Sequence, residues 1–315
     1  MVRGLGRIAS LAIVLAFAAA LAGCAQYGKL QAKRAFKDAN ALYAQQDYKR
    51  AAAMYEEAIA NDPELSVAYF YLANSYDNLY KPSRKGEPEN DALLTKAIDY
   101  YKQASEKEQD PTLRKRSFEF LVAAYGPDKM NDPSQQEPIV NRMIQLDPQD
   151  ATNYFALAKI REDAGDYEKA EEVLLQAKQA RPNDPQVYLQ LAGFYNRQEE
   201  FEKTIDALTQ RAAIEPNNPE AFYTISTYYW DKAYRDFRLK EPEKKEFVMK
   251  GIEQVDKSLQ LKPDYMEALT YKNLLLRLQA NLEKDQAKQA ALLKEADKLR
   301  DQALDLQKKQ AAGIR

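Results

Sequence analysis

Residues 166–184 read DYEKAEEVLLQAKQARPND, and close counterparts of this stretch lie on both sides of it. DYKRAAAMYEEAIANDPE occupies 47–64, and EFEKTIDALTQRAAIEPNN occupies 200–218. A proline closes each such run: Pro63, Pro111, Pro148, Pro182, Pro216 and Pro263, at intervals of 48, 37, 34, 34 and 47 residues. Proline cannot continue a helical hydrogen-bond ladder, so the sequence predicts a helix ending at each of them. Self-similarity at a fixed short period is the mark of a stacked-repeat architecture.

The residues between the prolines fit helix pairs. In YFALAKIREDAGDY, Tyr154, Leu157 and Ala158 lie three and four apart on one helical face, and Ala158 is small where a neighbouring helix comes close. Gly165 and Asp166 form the turn, after which Ala170, Leu174 and Ala177 repeat the spacing. The next unit does the same with Tyr188, Leu191, Ala192 and Tyr195, and an earlier one with Tyr69, Leu72, Ala73 and Tyr76.

On these residues the chain resembles the tetratricopeptide repeat (TPR) family, with about six units over 32–263. The resemblance implies an all-α fold, a right-handed superhelical solenoid of helix-turn-helix units. The unit at 151–184 is close to the family pattern, and the next follows it apart from Thr204 and Arg211, which stand at usually small sites. The unit between Pro111 and Pro148 keeps Phe118, Leu121 and Tyr125, but carries Val140 and Met143, and GPDKMNDP interrupts its turn. There SQQE (134–137) reads as a capping box that restarts the second helix. Residues 80–96 and 231–247 are expected to lengthen the turn inside their units by about 12 or 13 residues; they share KGEPE and LKEPE and form a candidate second contact surface. Residues 264–315 read as capping helices, with a stripe of Leu292, Ala296, Leu299, Ala303 and Leu306 to cover the last repeat. The same stripe is the candidate surface for a homodimer.

The N-terminus carries a second message. Arg3 and Arg7 precede an apolar run, Ile8 to Ala22, broken only by Ser10 and followed by Gly23 and Cys24. This is a secretory signal over 1–23, with a core shorter than the roughly 20 residues of a membrane-spanning helix. LAGC (21–24) resembles the lipobox of bacterial lipoproteins, in which the cysteine becomes the lipidated first residue. A thiol suits that thioether chemistry, and more than one acyl chain gives stable anchoring. Cys24 is the one cysteine of 315 residues, so no disulfide forms within the chain. Residues 24–31 are expected as a short tether that keeps the array near the membrane. Ala25 after the cysteine favours, in a Gram-negative cell, the periplasmic face of the outer membrane.

Removing Arg3 and Arg7 takes the formal charge from −2 to −4, which offers nothing to nucleic acid. Histidine is absent, and with it the commonest general base and metal ligand. No nucleophile elbow or phosphate loop occurs. Two placed carboxylates suffice for a glycosidase, and Glu87, Glu89 and Asp91 are the candidates, but a solvated charged turn accounts for them better. The expectation is a protein that is not an enzyme and has no metal and no cofactor.

The family resemblance assigns part of the first helix of each unit to a concave groove. Unit by unit that face carries Phe36, Asn40 and Tyr43; Phe70, Asn74 and Asp77; Phe155, Lys159 and Glu162; Leu189, Asn196 and Arg197; and Tyr223, Thr227 and Trp230. Aromatic anchors with Asn, Lys and Arg between them suit a peptide or helix of another protein. The opposing expectation is that these rings pack on the next helix pair. Together these readings describe a lipid-anchored envelope scaffold for partner proteins, of the build known in adaptors of peptidoglycan-cutting enzymes, in pilotins of secretin pores and in outer-membrane protein assembly. The alternative is a self-associating structural lipoprotein.

Overall fold

Asp166 accepts a hydrogen bond from the Lys169 amide, and that cap starts a helix, Tyr167–Ala180. It is one of seven helices among the described residues opened by this device, in which a side-chain oxygen satisfies amides that a helix start leaves bare. The computed structural model describes residues 26–313, which hold fourteen α-helices and no strand. Cys24 and the expected signal segment lie outside the described residues.

The chain divides after Ala164 into two units. The first contains α1 (26–44), α2 (Tyr48–Asn61), α3 (Ser66–Leu79), α4 (Pro88–Lys107), α5 (Pro111–Ala124), α6 (Pro133–Leu146) and α7 (Ala151–Asp163). The second contains α8 (Tyr167–Ala180), α9 (Pro185–Arg197), α10 (Phe201–Ile214), α11 (Pro219–Arg235), α12 (Glu241–Leu261), α13 (Met266–Asn281) and α14 (Gln286–Ala311). Within each unit, helices consecutive in sequence pack side by side.

The proline punctuation has a local cause. Asp62, Asp147, Arg181, Glu215 and Lys262 each cap the end of a helix immediately before a proline, with φ of −146°, −138°, −134°, −114° and −141°. A residue before proline is pushed into extended backbone, so the helix stops one residue early. Pro111 differs. It opens α5 at the first helical position, behind the Asp110 cap, rather than closing α4, which ended at Lys107. At that position the missing amide would have had no partner anyway.

Four further expectations change. Residues 26–31, expected as tether, are already the first turns of α1. The two insertions are mostly helix: α4 runs for 20 residues, α11 for 17 and α12 for 21, while α2, α8 and α10 have 14 each. Only 80–87 and 236–240 remain as connections. The capping box at SQQE does not form, because α6 starts earlier, at Pro133 behind Asp132, and Ser134 Oγ donates to Asp132 Oδ1 at 2.5 Å. Pro138 sits inside this helix and removes one of its amides.

In the first unit, Ala51, Tyr55, Leu72, Ala73, Leu94, Ile98, Tyr101 and Leu121 form one buried cluster. In the second, α13 receives α14. Ala296, Leu299 and Ala303 of the stripe are buried against Leu269 and Leu276, with Leu292 and Leu306 partly covered. Each large aliphatic side chain so buried contributes about 1.5–3 kcal/mol. Thr204 is fully buried, its hydroxyl bonded to the Glu200 carbonyl. Arg211 is also buried, with Glu215 Oε2 2.8 Å from its Nε.

A candidate partner-binding surface

The sequence-predicted groove residues of α1 and α3 meet in one network. Phe36 lies 5.6 Å from Tyr55 and 6.1 Å from Tyr71, and Tyr43 meets Tyr71 edge-on at 5.6 Å, measured between ring centres. The Tyr43 hydroxyl donates to Asn74 Oδ1, which also accepts from Asn78 Nδ2 at 2.8 Å. Asn74 Nδ2 donates to the Tyr101 hydroxyl at 3.1 Å. Asn74 is 6% exposed, so both ends of its amide are committed inside the fold. Asp77 accepts from Tyr101 and pairs with Lys129 from the connection after α5. Phe70 is buried between Tyr101 and Phe120, 6.1 and 5.8 Å away. Asn40 is exposed and accepts from the Tyr55 hydroxyl at 2.6 Å. In α7, Phe155 and Glu162 are half-buried and exposed Lys159 pairs with Asp163 one turn on.

The second unit repeats the aromatic arrangement. Tyr223 and Trp230, seven residues apart like Phe36 and Tyr43, both meet Tyr271 of α13, at 5.4 and 5.5 Å. Tyr71 and Tyr271 are therefore gripped in the same way, each by two rings from the preceding first helix of a pair. Such ring pairs contribute about 0.5–1.5 kcal/mol beyond the area they bury. Burial and the nearby Tyr271 and Tyr265 hydroxyls push the Tyr223 hydroxyl up to about 12. Thr227 spends its hydroxyl on the Thr224 carbonyl. Leu189 is half-buried, and Asn196 and Arg197 are exposed at the end of α9.

What remains open to a partner begins where this ladder ends. Trp230 stacks on Tyr234 at 4.9 Å, and Tyr234 is 60% exposed. Three residues on, Phe237 is 88% exposed in the connection from α11 to α12. That connection is braced: Asp236 pairs with Lys232 at 3.0 Å and Arg238 at 2.9 Å, which hold its carboxyl far below the usual range. Beside Phe237 lies a cleft of about 510 Å³, lined by Asn196, Phe201, Tyr228, Asp231 and Arg235 among others. Its walls mix both charges with aromatic rings. The sequence marked this insertion as a contact surface, but gave no sign that Phe237 would stand clear of the fold.

The other insertion presents no such ring. Asn90 ties it down, accepting from the Lys81 amide and donating to the Lys81 and Arg84 carbonyls. Arg84 holds the exposed Glu87 carboxyl below its ordinary value, which suits a charged surface pair and not a proton donor. Asp91 accepts from the Gly86 amide. Among the described residues, no group of three or more His, Cys, Asp or Glu side chains is placed to hold a metal ion. No described helix is long and apolar enough to cross a membrane.

Residues 131–193 match the tetratricopeptide repeat family. No curated protein matches the chain. Among solved structures, the chain is similar to the C-terminal part of a TPR repeat-containing protein from Cytophaga hutchinsonii, with 16% identity over 86% of this chain and 98% of that one, at a TM-score of 0.54. It is also similar to TTC0263, a thermophilic TPR protein of Thermus thermophilus, with 18% identity over 78% and 99% of the two chains and a TM-score of 0.33. For YrrB, described as a TPR protein with an unusual peptide-binding site, the figures are 16%, 75%, 88% and 0.30. The Cytophaga likeness carries the fold.

Proposed function

We propose that this chain, a tetratricopeptide repeat protein, is a lipid-anchored scaffold of the bacterial envelope that recruits partner proteins. Cys24 is its lipidated residue, and the periplasmic face of the outer membrane is its place in a Gram-negative cell. The anchor confines the scaffold to a surface, which raises the effective concentration of whatever it holds. Peptidoglycan remodelling and pilus or secretin assembly are processes with a use for such a device.

The observation that supports recruitment is the pair of exposed rings, Tyr234 and Phe237, that follow half-buried Trp230 beside a cleft of mixed charge. Aromatic rings held rigid at a surface lose little entropy on binding and carry a large share of interface energy. The fitting occupant is a protein segment with an apolar side chain for Phe237 and charges of both signs for the cleft.

Two measurements test the proposal. Metabolic labelling with radioactive palmitate should mark the wild-type chain and leave Cys24→Ala unlabelled; an unlabelled wild type overturns the anchor. A photo-reactive phenylalanine analogue at position 237 should give discrete cross-linked envelope proteins in living cells, lost when Tyr234→Ala and Arg235→Glu are added. Cross-links only to copies of this chain would favour the self-associating alternative, and no cross-link would remove this surface from the function.

A further inference from the structure

The first turns of α1 expose two large apolar side chains where a solvent face should be polar. Tyr27 is 64% and Leu30 67% exposed. At 100° per residue they share a face with Arg34 and Lys37, and Lys29 and Lys33 flank it. All four cations are exposed, no acidic residue occurs from 26 to 37, and no described carboxylate pairs with any of the four. Elsewhere several lysines do have a carboxylate one turn away, as Lys250 has Glu246 and Lys257 has Glu253.

This face is held in position by packing on the other side of α1. Ala32, Ala35 and Ala39 are buried on the opposite side of the helix. Gly28 brings α1 so near the end of α2 that a Cβ there would stand 2.8 Å from the Asn61 carbonyl oxygen. A shallow cleft of about 620 Å³ runs beside Tyr27, Leu30 and Arg34 as far as Met54 and Glu57 of α2.

We propose that this face of α1 is a membrane-interface contact for anionic phospholipid headgroups. The reading rests on lipidation of Cys24, which stands two residues before the first described turn of α1 and so brings the helix to the bilayer surface. Leu30 and Tyr27 enter the boundary between headgroups and acyl chains, and the four cations meet the phosphates around them. An acyl anchor with a basic, apolar helix face gives two membrane signals in place of one. The result is a helix laid against the membrane, so that the anchor also orients the first unit.

The test uses the lipidated chain in vesicles. Lipidation occupies Cys24, so Leu30→Cys offers one reactive thiol for a spin label, with Lys49→Cys on α2 as the aqueous control. In vesicles of equimolar phosphatidylcholine and phosphatidylglycerol, the label at 30 should be severalfold more accessible to oxygen than to a water-soluble nickel chelate. That preference should fall in pure phosphatidylcholine and in the variant with Lys29, Lys33, Arg34 and Lys37 all changed to Gln. A label at 30 as open to the chelate as the one at 49, on chains shown by mass to be lipidated, overturns this inference and leaves the anchor standing. A label shielded from both reagents reports a protein contact and overturns it too. If mass shows no lipid, the anchor fails. Salt-sensitive binding of the unlipidated chain to phosphatidylglycerol vesicles, lost in the Gln variant, then supports the helix face, and no binding overturns it.

Discussion

The Tyr188 hydroxyl donates to the Pro182 carbonyl at 2.7 Å, six residues back and across the break between α8 and α9. Tyr69 does the same to Pro63 and Tyr154 to Pro148, at 3.0 and 3.1 Å. Each ring therefore fills core volume and also ties the loop that its proline creates. Tyr188→Phe keeps the ring and loses only the bond. It should lower the free energy of unfolding by about 1 kcal/mol. Denaturant titration of the variant checks this, and an unchanged midpoint would show that the ring alone matters.

Gly251 lies inside α12, where alanine would ordinarily stabilise a helix by about 1 kcal/mol. Here the sign should reverse. A Cβ would stand 2.9 Å from Leu275 Cδ2 and 3.2 Å from Tyr229 Cβ, and Leu275 is fully buried with nowhere to swing. Overpacking of this kind costs about 1–3 kcal/mol, more than the propensity gain. Gly251→Ala should melt earlier than the wild type in calorimetry; a higher melting temperature would mean that α12 and α13 part easily.

Glu199 has a φ of +59° in the turn before α10, the place that Gly165 takes before α8 with +79°. A side chain there presses its Cβ against the following carbonyl, at a cost of about 1–2 kcal/mol. Glu199→Gly removes that strain and gives back part of it in unfolded-chain entropy. The net expectation is a gain of about 0.5–1 kcal/mol in chemical denaturation. A loss would show that the Glu199 side chain makes contacts worth more than the strain.

Glu171 on α8 connects three parts of the second unit. Its Oε1 accepts from the Tyr195 hydroxyl at 2.8 Å and from Lys203 Nζ at 3.0 Å. Burial raises its pKa, but the two hydrogen bonds outweigh burial and hold it below the ordinary glutamate value. A carboxyl lowered in the folded state stabilises fully above the unfolded-state pKa and loses that contribution as pH falls through the folded one. Glu171→Gln should thus flatten the acid limb of stability against pH. At neutral pH it should cost less than about 1 kcal/mol, because the pair is partly solvated. Identical acid limbs for the two proteins would assign the effect elsewhere.

Much of this was written in local pattern. Tyr154, Leu157 and Ala158 are all buried, as their spacing required, and so are Ala170, Leu174 and Ala177. The insertions were harder to place. KGEPE and LKEPE look like loops, yet proline at a first helical turn starts α4 and α12, and the added residues extend helices. The groove residues were legible as types and not as environments. Nothing local tells whether an asparagine faces solvent or, like Asn74, spends its amide on Asn78, Tyr43 and Tyr101.

The sequence by itself determined the all-helical repeat, since periodicity of apolar residues and the backbone limits of proline and glycine act within a few residues. It also determined the buried face of the regular helices, such as Tyr154, Leu157 and Ala158 in α7 and Ala170, Leu174 and Ala177 in α8. Tertiary structure decided which polar and aromatic groups are used up inside. Tyr71 and Tyr271 become the seats of rings from the preceding first helix only because stacking brings residues far apart in sequence into contact, as Phe36 meets Tyr71 and Trp230 meets Tyr271. The same stacking leaves Phe237 and Leu30 outside, because exposure is a property of what lies opposite a side chain and not of the side chain's own neighbours in sequence.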